Sequence, residues 1–337
     1  MTISADAGHE VPSPDTLQRA AVVYHPVKVD GAKLRADVER IAAKAGWGET
    51  LWFETTALEA GQELTRQAIE EGAAMVLAAG GDGTVRAVVE GLRGSHVPLG
   101  LIPSGTGNLL ARNLNIGVSG QEAAITAAFE GVNRPIDRGI ANIIREDGST
   151  HEHAFVVMAG LGLDAKMIAM TNSKLKKAVG WLAYVDAGVR ALPELKPLKI
   201  RYSIDNDAWR STSVHTVIVG NCGSLPGGVL LIPDAEVDDG VLDIMALRPE
   251  GAFGWLKVWR KITWENGVLR KSAAGRKIID LTKDARSVTY RRGGDLRLTV
   301  EVPEHFQLDG DEFGKVIAVH CWVEPGALNV RVAGAGS

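Results

Sequence analysis

The chain has 337 residues, enough for two domains at about 150 residues per domain. Its 37 basic and 41 acidic side chains give a formal net charge of −4, which removes the case for a nucleic-acid binder held by bulk positive charge. With 45% hydrophobic and 23% charged residues, the composition excludes disorder of the whole chain.

Residues 1–17 carry neither a basic start nor an apolar run of signal-peptide length, so we expect a disordered tail. The two cysteines, Cys222 and Cys321, have no CxxC spacing. No stretch approaches the ~20 apolar residues that span a bilayer. We therefore expect a reduced, cytoplasmic protein, and any membrane contact would be peripheral, on the inner face.

Strands and helices alternate over residues 18–135, which predicts a doubly wound, Rossmann-like α/β domain with a mostly parallel sheet. The apolar runs predict strands at Ala20–Tyr24, Thr50–Glu54, Ala74–Ala79 and Pro98–Pro103. Helical spacing follows at Ala32–Ala45, Leu58–Glu71, Val85–Leu92 and Leu109–Asn113.

Short strands separated by turns dominate residues 136–325 and predict an antiparallel β domain, a β-sandwich with a cleft between it and the first domain. The predicted strands are Ala154–Met158, Leu198–Ile204, Ser213–Val219, Val241–Leu247, Ser287–Tyr290, Leu296–Val302 and Lys315–Val323. Helical interruptions are expected at about 164–192 and 250–275. Residues 326–337 are expected to form a C-terminal tail, which either ends in the β domain or returns to the first domain.

Glycine is in excess, at 39 residues, and its most informative cluster is Gly80-Gly81-Asp82-Gly83-Thr84, which follows a predicted strand and opens a predicted helix. Glycines let backbone N–H groups approach a phosphate, and the helix N-terminus adds a positive dipole. Asp82 beside such an anion suggests a bridging divalent metal. The alternative is a tight turn capped by Thr84.

A second cluster, Pro103-Ser104-Gly105-Thr106-Gly107-Asn108, also lies between a predicted strand and a predicted helix. Parallel strands point their C-terminal ends the same way, so both loops are expected to flank one crevice. We call residues 80–84 the first glycine loop and residues 103–108 the second glycine loop.

These two loops resemble the catalytic domain of the diacylglycerol kinase and sphingosine kinase family of lipid kinases. Matching motifs also occur at 134–137, 160–165, 234–243 and 308–311, so the resemblance covers about residues 20–325. It implies an ATP- and Mg²⁺-dependent transfer of the γ-phosphate to a lipid hydroxyl, with diacylglycerol as the first expectation and phosphatidic acid as product.

The resemblance also implies roles for individual residues. The nucleotide would contact Thr55 or Thr56, Gly80, Gly81, Asp82, Gly83, Thr84, Val85, Arg86, Gly105, Thr106, Gly107 and Asn108. Asp309 is the first choice for catalytic base and Asp311 the alternative; a solvated Asp-Gly turn is the ordinary interpretation of both. Asp239 resembles a Mg²⁺ ligand, with backbone oxygens of Glu236 and Val241, unless this segment is a plain turn. Asp137 and Asp164 would line the cleft, or serve as turn or cap residues.

Three departures from the family pattern stand out. His25-Pro26-Val27-Lys28-Val29 replaces Asn-Pro-x-Ser-Gly, which leaves the nucleotide contact of that loop in doubt. Leu109, and not an aspartate, follows Asn108, as in sphingosine-type kinases. Asp311 replaces the final glutamate of the last motif.

Residues 253–277 combine three tryptophans with seven basic side chains and one acidic side chain. Such a helix fits an anionic membrane surface, although tryptophans packed in a core explain the spacing equally well. The stretch Val179–Leu192 is either a lid over an acyl chain or a packed helix. Alternatives to a diacylglycerol kinase are a sphingoid-type or other lipid kinase, an NAD kinase-like enzyme with a soluble substrate, and a non-catalytic lipid- or nucleotide-binding member.

Overall fold

The computed structural model describes residues 17–56, 58–117, 120–162, 197–225, 229–248 and 288–334. Several expectations lie outside these residues: the tail at 1–16, the cleft carboxylate Asp164, both helical interruptions, the stretch Val179–Leu192 and the tryptophan-rich segment 253–277. Among the described residues, no helix is long and apolar enough to cross a membrane.

The first half of the chain folds into a parallel sheet with strand order β4-β3-β1-β2. Its strands are β1 (Arg19–Tyr24), β2 (Leu51–Glu54), β3 (Ala73–Gly80) and β4 (Leu99–Pro103). The helices are α1 (Gly31–Lys44), α2 (Gln62–Glu70), α3 (Asp82–Gly91), α4 (Leu109–Asn113) and α5 (Gln121–Glu130).

Helices cover both faces of this sheet because successive strand side chains point to opposite sides. Val22 and Leu77 pack in the cluster that includes residues of α1 and α5, whereas Ala21 and Val76 pack in the cluster that includes residues of α2, α3 and α4. This two-sided core confirms the predicted doubly wound α/β domain.

The second half is built from antiparallel strands. They are β5 (Val132–Ile144), β6 (Thr150–Phe155), β7 (Met158–Leu161), β8 (Leu198–Ile204), β9 (Arg210–Val214), β10 (Thr216–Gly220), β11 (Ser224–Leu225), β12 (Val229–Leu230), β13 (Leu242–Leu247), β14 (Val288–Gly293), β15 (Asp295–Leu308) and β16 (Asp311–Val332). Phe155, Phe306 and Leu308 are fully or nearly fully buried in their shared core.

Two long strands run from one half of the molecule into the other. β5 passes the expected boundary at 135/136 without interruption, and β16 pairs with it over most of its length. Near its end β16 also pairs in parallel with β4, Val330 opposite Leu99. The two sheets are therefore hydrogen-bonded into one, which fixes the β15–β16 hairpin relative to the α/β domain.

The structure corrects three predicted elements. The strand predicted at Ala154–Met158 is interrupted between β6 and β7, and the one predicted at Ser213–Val219 is interrupted between β9 and β10. The second helix begins at Gln62, not at Leu58, because the Thr56 hydroxyl accepts the amides of Leu58 (3.3 Å) and Glu59 (3.0 Å) in a turn.

Candidate active site

The two glycine loops lie side by side at the C-terminal edge of the parallel sheet. Gly80 is paired with Pro103, and the Ser104 amide donates to the Gly80 carbonyl at 3.0 Å. A methyl group on Gly105 would lie 2.7 Å from the Gly81 Cα, so only glycine allows this approach. This confirms that both loops flank one edge.

Asp82 joins the first glycine loop to the second. Its Oδ2 accepts the Asn108 amide at 3.0 Å and its Oδ1 accepts the Leu109 amide at 2.6 Å. Burial raises the pKa of Asp82, and these amides oppose the rise. Both carboxylate oxygens are thus used inside the protein, where they cap the first turn of α4.

Asn108 closes the second glycine loop upon itself. Its backbone is left-handed, with φ of 48°. Its side chain accepts the Gly105 amide at 2.9 Å and donates to the Gly105 carbonyl at 2.8 Å. Gly107 lies against Asp82, where a methyl group would overlap the carboxylate, and Thr106 is exposed. The backbone of this loop is therefore held in one shape with its tip open to solvent.

The two threonines after β2 have different surroundings. Thr55 is buried, and its hydroxyl has no hydrogen-bond partner in the described part of the chain. Thr56 forms the turn described above. In the first glycine loop, Thr84 is buried with its side chain against Gly80. As candidates for a nucleotide contact the two threonines therefore differ. The Thr56 hydroxyl is used in a turn, whereas the Thr55 hydroxyl has no hydrogen-bond partner among the described residues.

Lys28 reaches the first glycine loop from the end of β1. A methyl group on Gly81 would lie 2.8 Å from the Lys28 Nζ, and the ammonium favours the ionised form of Asp82, whose pKa it lowers. Lys28 was not among the residues that the sequence nominated. The available signal was its position after a parallel strand, since such loops meet at one edge of the sheet.

Asp311 reaches the same loop from the β15–β16 hairpin. A methyl group on Gly83 would lie 2.9 Å from the Asp311 Oδ2. The same oxygen lies 3.1 Å from an Nη atom of Arg86, and the Asp311 side chain is 46% exposed. A partly solvated carboxylate therefore faces the N-terminal turn of α3.

Arg86 is held on several sides. Besides Asp311, it contacts Glu90 at 3.4 Å, and its guanidinium carbon lies 4.7 Å from the centroid of the Phe313 ring. Its side chain is 11% exposed. Glu90 is itself buried and accepts the Ala154 amide at 3.1 Å. Sequence reasoning missed Glu90, because an acid four residues after an arginine is ordinary on a helix surface.

Asp309 has the opposite environment to Asp311. It sits in the turn of the hairpin with φ of 49° and is buried at 4% exposure. Its carboxylate accepts the amides of Val156 (2.9 Å), Val157 (2.8 Å) and Met158 (2.9 Å). Burial raises the pKa of Asp309 to about 6, against the effect of these amides. The amides turned towards Asp309 also explain the interruption between β6 and β7.

The predicted Mg²⁺ turn is stabilised by protein contacts. Asp239 is ion-paired with Arg292 and accepts the Val241 amide at 3.2 Å, while Glu236 is exposed. Asp137 is buried and accepts the amides of Gly240 (2.6 Å) and Gly326 (2.8 Å). Within the described ranges there is no group of three or more His, Cys, Asp or Glu residues that could hold a metal. A metal ion at this turn would have to displace the Arg292 guanidinium from the Asp239 carboxylate.

An α/β domain with two adjoining glycine loops is followed by an antiparallel β domain whose hairpin carries a carboxylate that faces these loops. The sequence matches the profile of the diacylglycerol kinase catalytic domain over residues 19–141 and that of the YegS C-terminal NAD kinase beta sandwich-like domain over 156–332. The chain belongs to the diacylglycerol kinase and YegS-like family of lipid kinases.

Individual relatives agree with this assignment. A diacylglycerol kinase of Bacillus subtilis is 30% identical over 72% of this chain and 78% of its own length. A Pseudomonas aeruginosa protein described as "probable lipid kinase YegS-like" is 32% identical over 71% of this chain and 75% of its own length. The fold is shared with a putative diacylglycerol kinase from Bacillus anthracis, at a TM-score of 0.71, 18% identity and coverage of 96% and 98%.

Proposed function

We propose that this lipid kinase transfers the γ-phosphate of ATP to the free hydroxyl of diacylglycerol and releases phosphatidic acid and ADP. The observation that carries the mechanism is the position of Asp311, whose carboxylate faces Gly83 in the first glycine loop. The choice of diacylglycerol is supported by the names of relatives at about 30% identity. Because this lipid resides in a bilayer, the enzyme works at a membrane surface.

The glycine loops hold the phosphates of the nucleotide. The backbone N–H groups of the first glycine loop lie at the N-terminus of α3, a ten-residue helix whose dipole favours an anion. The contacts of Asp82 with the second loop keep both loops at a fixed spacing. Mg²⁺ bound to ATP would neutralise charge on the phosphates; we assign it no protein ligand.

Asp311 is the better candidate for the base. A base must reach the substrate hydroxyl, and Asp311 is half-exposed beside the first glycine loop. The Asp309 carboxylate is buried and, among the described residues, is hydrogen-bonded to the backbone amides of Val156, Val157 and Met158. As the hydroxyl oxygen forms its bond to the γ-phosphorus, the bond to the β,γ-bridging oxygen breaks and ADP leaves with that electron pair. The hydroxyl proton passes to the Asp311 carboxylate.

Arg86 and Glu90 position this carboxylate. Buried Glu90 fixes one side of the guanidinium and the Phe313 ring supports its face, so the remaining side presents a fixed charge to Asp311. An ion pair held by packing restricts the rotamers of a side chain better than a solvated pair does. Asp311 is thereby directed towards the loop while part of its surface stays open to substrate.

The test is incubation of the purified protein with γ-labelled ATP and a panel of acceptors: diacylglycerol, monoacylglycerol, a sphingoid base, ceramide and, as a soluble acceptor, NAD. The proposal predicts label in phosphatidic acid above all other products. Label in a sphingoid phosphate would change the substrate, and label in NADP would replace the proposal. If the protein binds ATP but yields no labelled product, the interpretation that remains is a non-catalytic member of the family.

A further inference from the structure

Phosphate-binding loops usually work with a cation, since the triphosphate brings several negative charges. Among the residues that the family resemblance places at the nucleotide, the one cation is Arg86, which follows the first glycine loop. In the structure Arg86 is engaged by Glu90 and Asp311 and is 11% exposed. A side-chain cation that attracts the terminal phosphates would therefore come from elsewhere in the site.

We propose that Lys28 is this cation and binds the terminal phosphates of the nucleotide. The inference rests on the proposed function, because it assumes that the two glycine loops hold ATP. It assigns a role to the loop of residues 25–29, the one in which this chain departs from the family pattern.

Lys28 is in the right place. The space above Gly81, where a Cβ would be, lies 2.8 Å from the Lys28 Nζ and 3.7 Å from the Gly105 Cα. The ammonium thus lies at the point where the two glycine loops approach each other. A phosphate that accepts hydrogen bonds from these loops lies within reach of it.

The loop that carries Lys28 is anchored to the same edge of the sheet. The His25 amide donates to the Ala79 carbonyl at 3.0 Å, directly before Gly80. The Lys28 and Val29 amides both donate to the His25 carbonyl, at 3.0 and 3.2 Å, and Val29 is buried. A tight turn therefore presents Lys28 while its neighbour holds the turn in the core.

Lys28 is also available for a ligand. It is exposed, and among the described residues no carboxylate lies within ion-pairing distance of its ammonium. Lysine at the position of the family's serine replaces a short hydroxyl by a charge on a long, flexible stem. As a point charge with three donors, an ammonium suits the oxygens of a terminal phosphate.

The experiment compares the affinities of ATP, ADP and AMP for the wild type and for Lys28→Gln and Lys28→Arg, without lipid. Lys33→Gln is the matched control, because Lys33 is an exposed lysine nearby on α1. Losing a charge-assisted contact predicts about 10- to 100-fold weaker ATP binding in Lys28→Gln. AMP binding stays within about twofold, Lys28→Arg restores much of the loss, and Lys33→Gln binds as the wild type does.

Equal losses for ATP and AMP, or an equal loss in Lys33→Gln, would overturn the assignment, as would unchanged ATP binding in Lys28→Gln. Thermal unfolding of each variant establishes that it is folded. Failure of the wild type to bind ATP overturns both this inference and the proposed function. Wild-type ATP binding without lipid phosphorylation overturns the proposed function alone.

Discussion

Replacing Asp309 and Asp311 one at a time by asparagine separates a structural carboxylate from a catalytic one in the same hairpin. In Asp309→Asn, one oxygen can keep the Val157 and Met158 amides, but the new NH₂ group then faces the Val156 amide. Two buried donors, the Val156 amide and the new NH₂ group, then lack an acceptor, at about 1–3 kcal/mol each. We expect a loss of about 2–6 kcal/mol, or roughly 4–24 °C in Tm at about 2–4 °C per kcal/mol.

Asp311→Asn removes an ion pair with Arg86 in which the carboxylate is 46% exposed. Such pairs contribute up to about 1 kcal/mol, so Tm changes by less than about 4 °C. Loss of a general base lowers kcat by about 10²- to 10⁴-fold. KM for ATP should stay near the wild-type value, because the glycine loops are unchanged.

The assays are thermal unfolding by circular dichroism and lipid phosphorylation under saturating ATP. The reasoning predicts an unstable Asp309→Asn and a stable, inactive Asp311→Asn. It is refuted if Asp311→Asn keeps more than a tenth of wild-type kcat. It is also refuted if Asp309→Asn is as stable as the wild type and inactive, since Asp309 would then be the base.

Other predictions follow from the same geometry. Gly105→Ala separates the glycine loops and should weaken ATP binding about tenfold or more, measured by titration calorimetry. Gly294→Ala is the control, because a methyl group there meets only ordinary contacts, and it should leave ATP binding unchanged. Equal effects of the two substitutions would contradict the argument that the loops approach closely only at glycine. Glu90→Gln should lower kcat and leave KM for ATP unchanged, because it loosens Arg86; an unchanged kcat would contradict this. Burial raises the pKa of Asp243 from 3.8 to about 6, so the ionised carboxylate disfavours the folded state. The stabilising contribution of the protonated carboxyl is therefore lost as pH rises through about 6. Asp243→Asn should therefore gain stability relative to the wild type between pH 4 and 7 in urea unfolding, and a constant difference would contradict the sign.

The sequence predicted the α/β domain and the two glycine loops because their signals are local. A buried strand, a glycine cluster and an amphipathic helix follow one another within about twenty residues, at 74–92 and again at 98–113. Two elements gave no such signal. α5 is alanine-rich with little amphipathic contrast, and β5 contains Pro135 and Gly139, residues that are depleted in strands. Gly139 is explained only by its cross-strand neighbour Phe155, whose ring covers it.

The division of roles at the site could not be predicted from sequence. Asp309 and Asp311 stand two residues apart in one motif, and their environments differ only because one side chain turns into the core and the other turns towards α3. The contact of Arg86 with Asp311 joins residues 225 positions apart. Lys28 approaches Gly81 only because β1, which precedes Lys28, pairs with β3, which precedes Gly81. Such long-range contacts leave no local pattern in a single sequence.

The most direct measurement of the central claim is transfer of label from γ-labelled ATP to diacylglycerol in mixed vesicles, by wild type and Asp311→Asn side by side. The account predicts labelled phosphatidic acid from the wild type and a loss of at least about 100-fold in the variant, with ATP binding intact in both. Absence of labelled phosphatidic acid from a wild-type protein that binds ATP would contradict it.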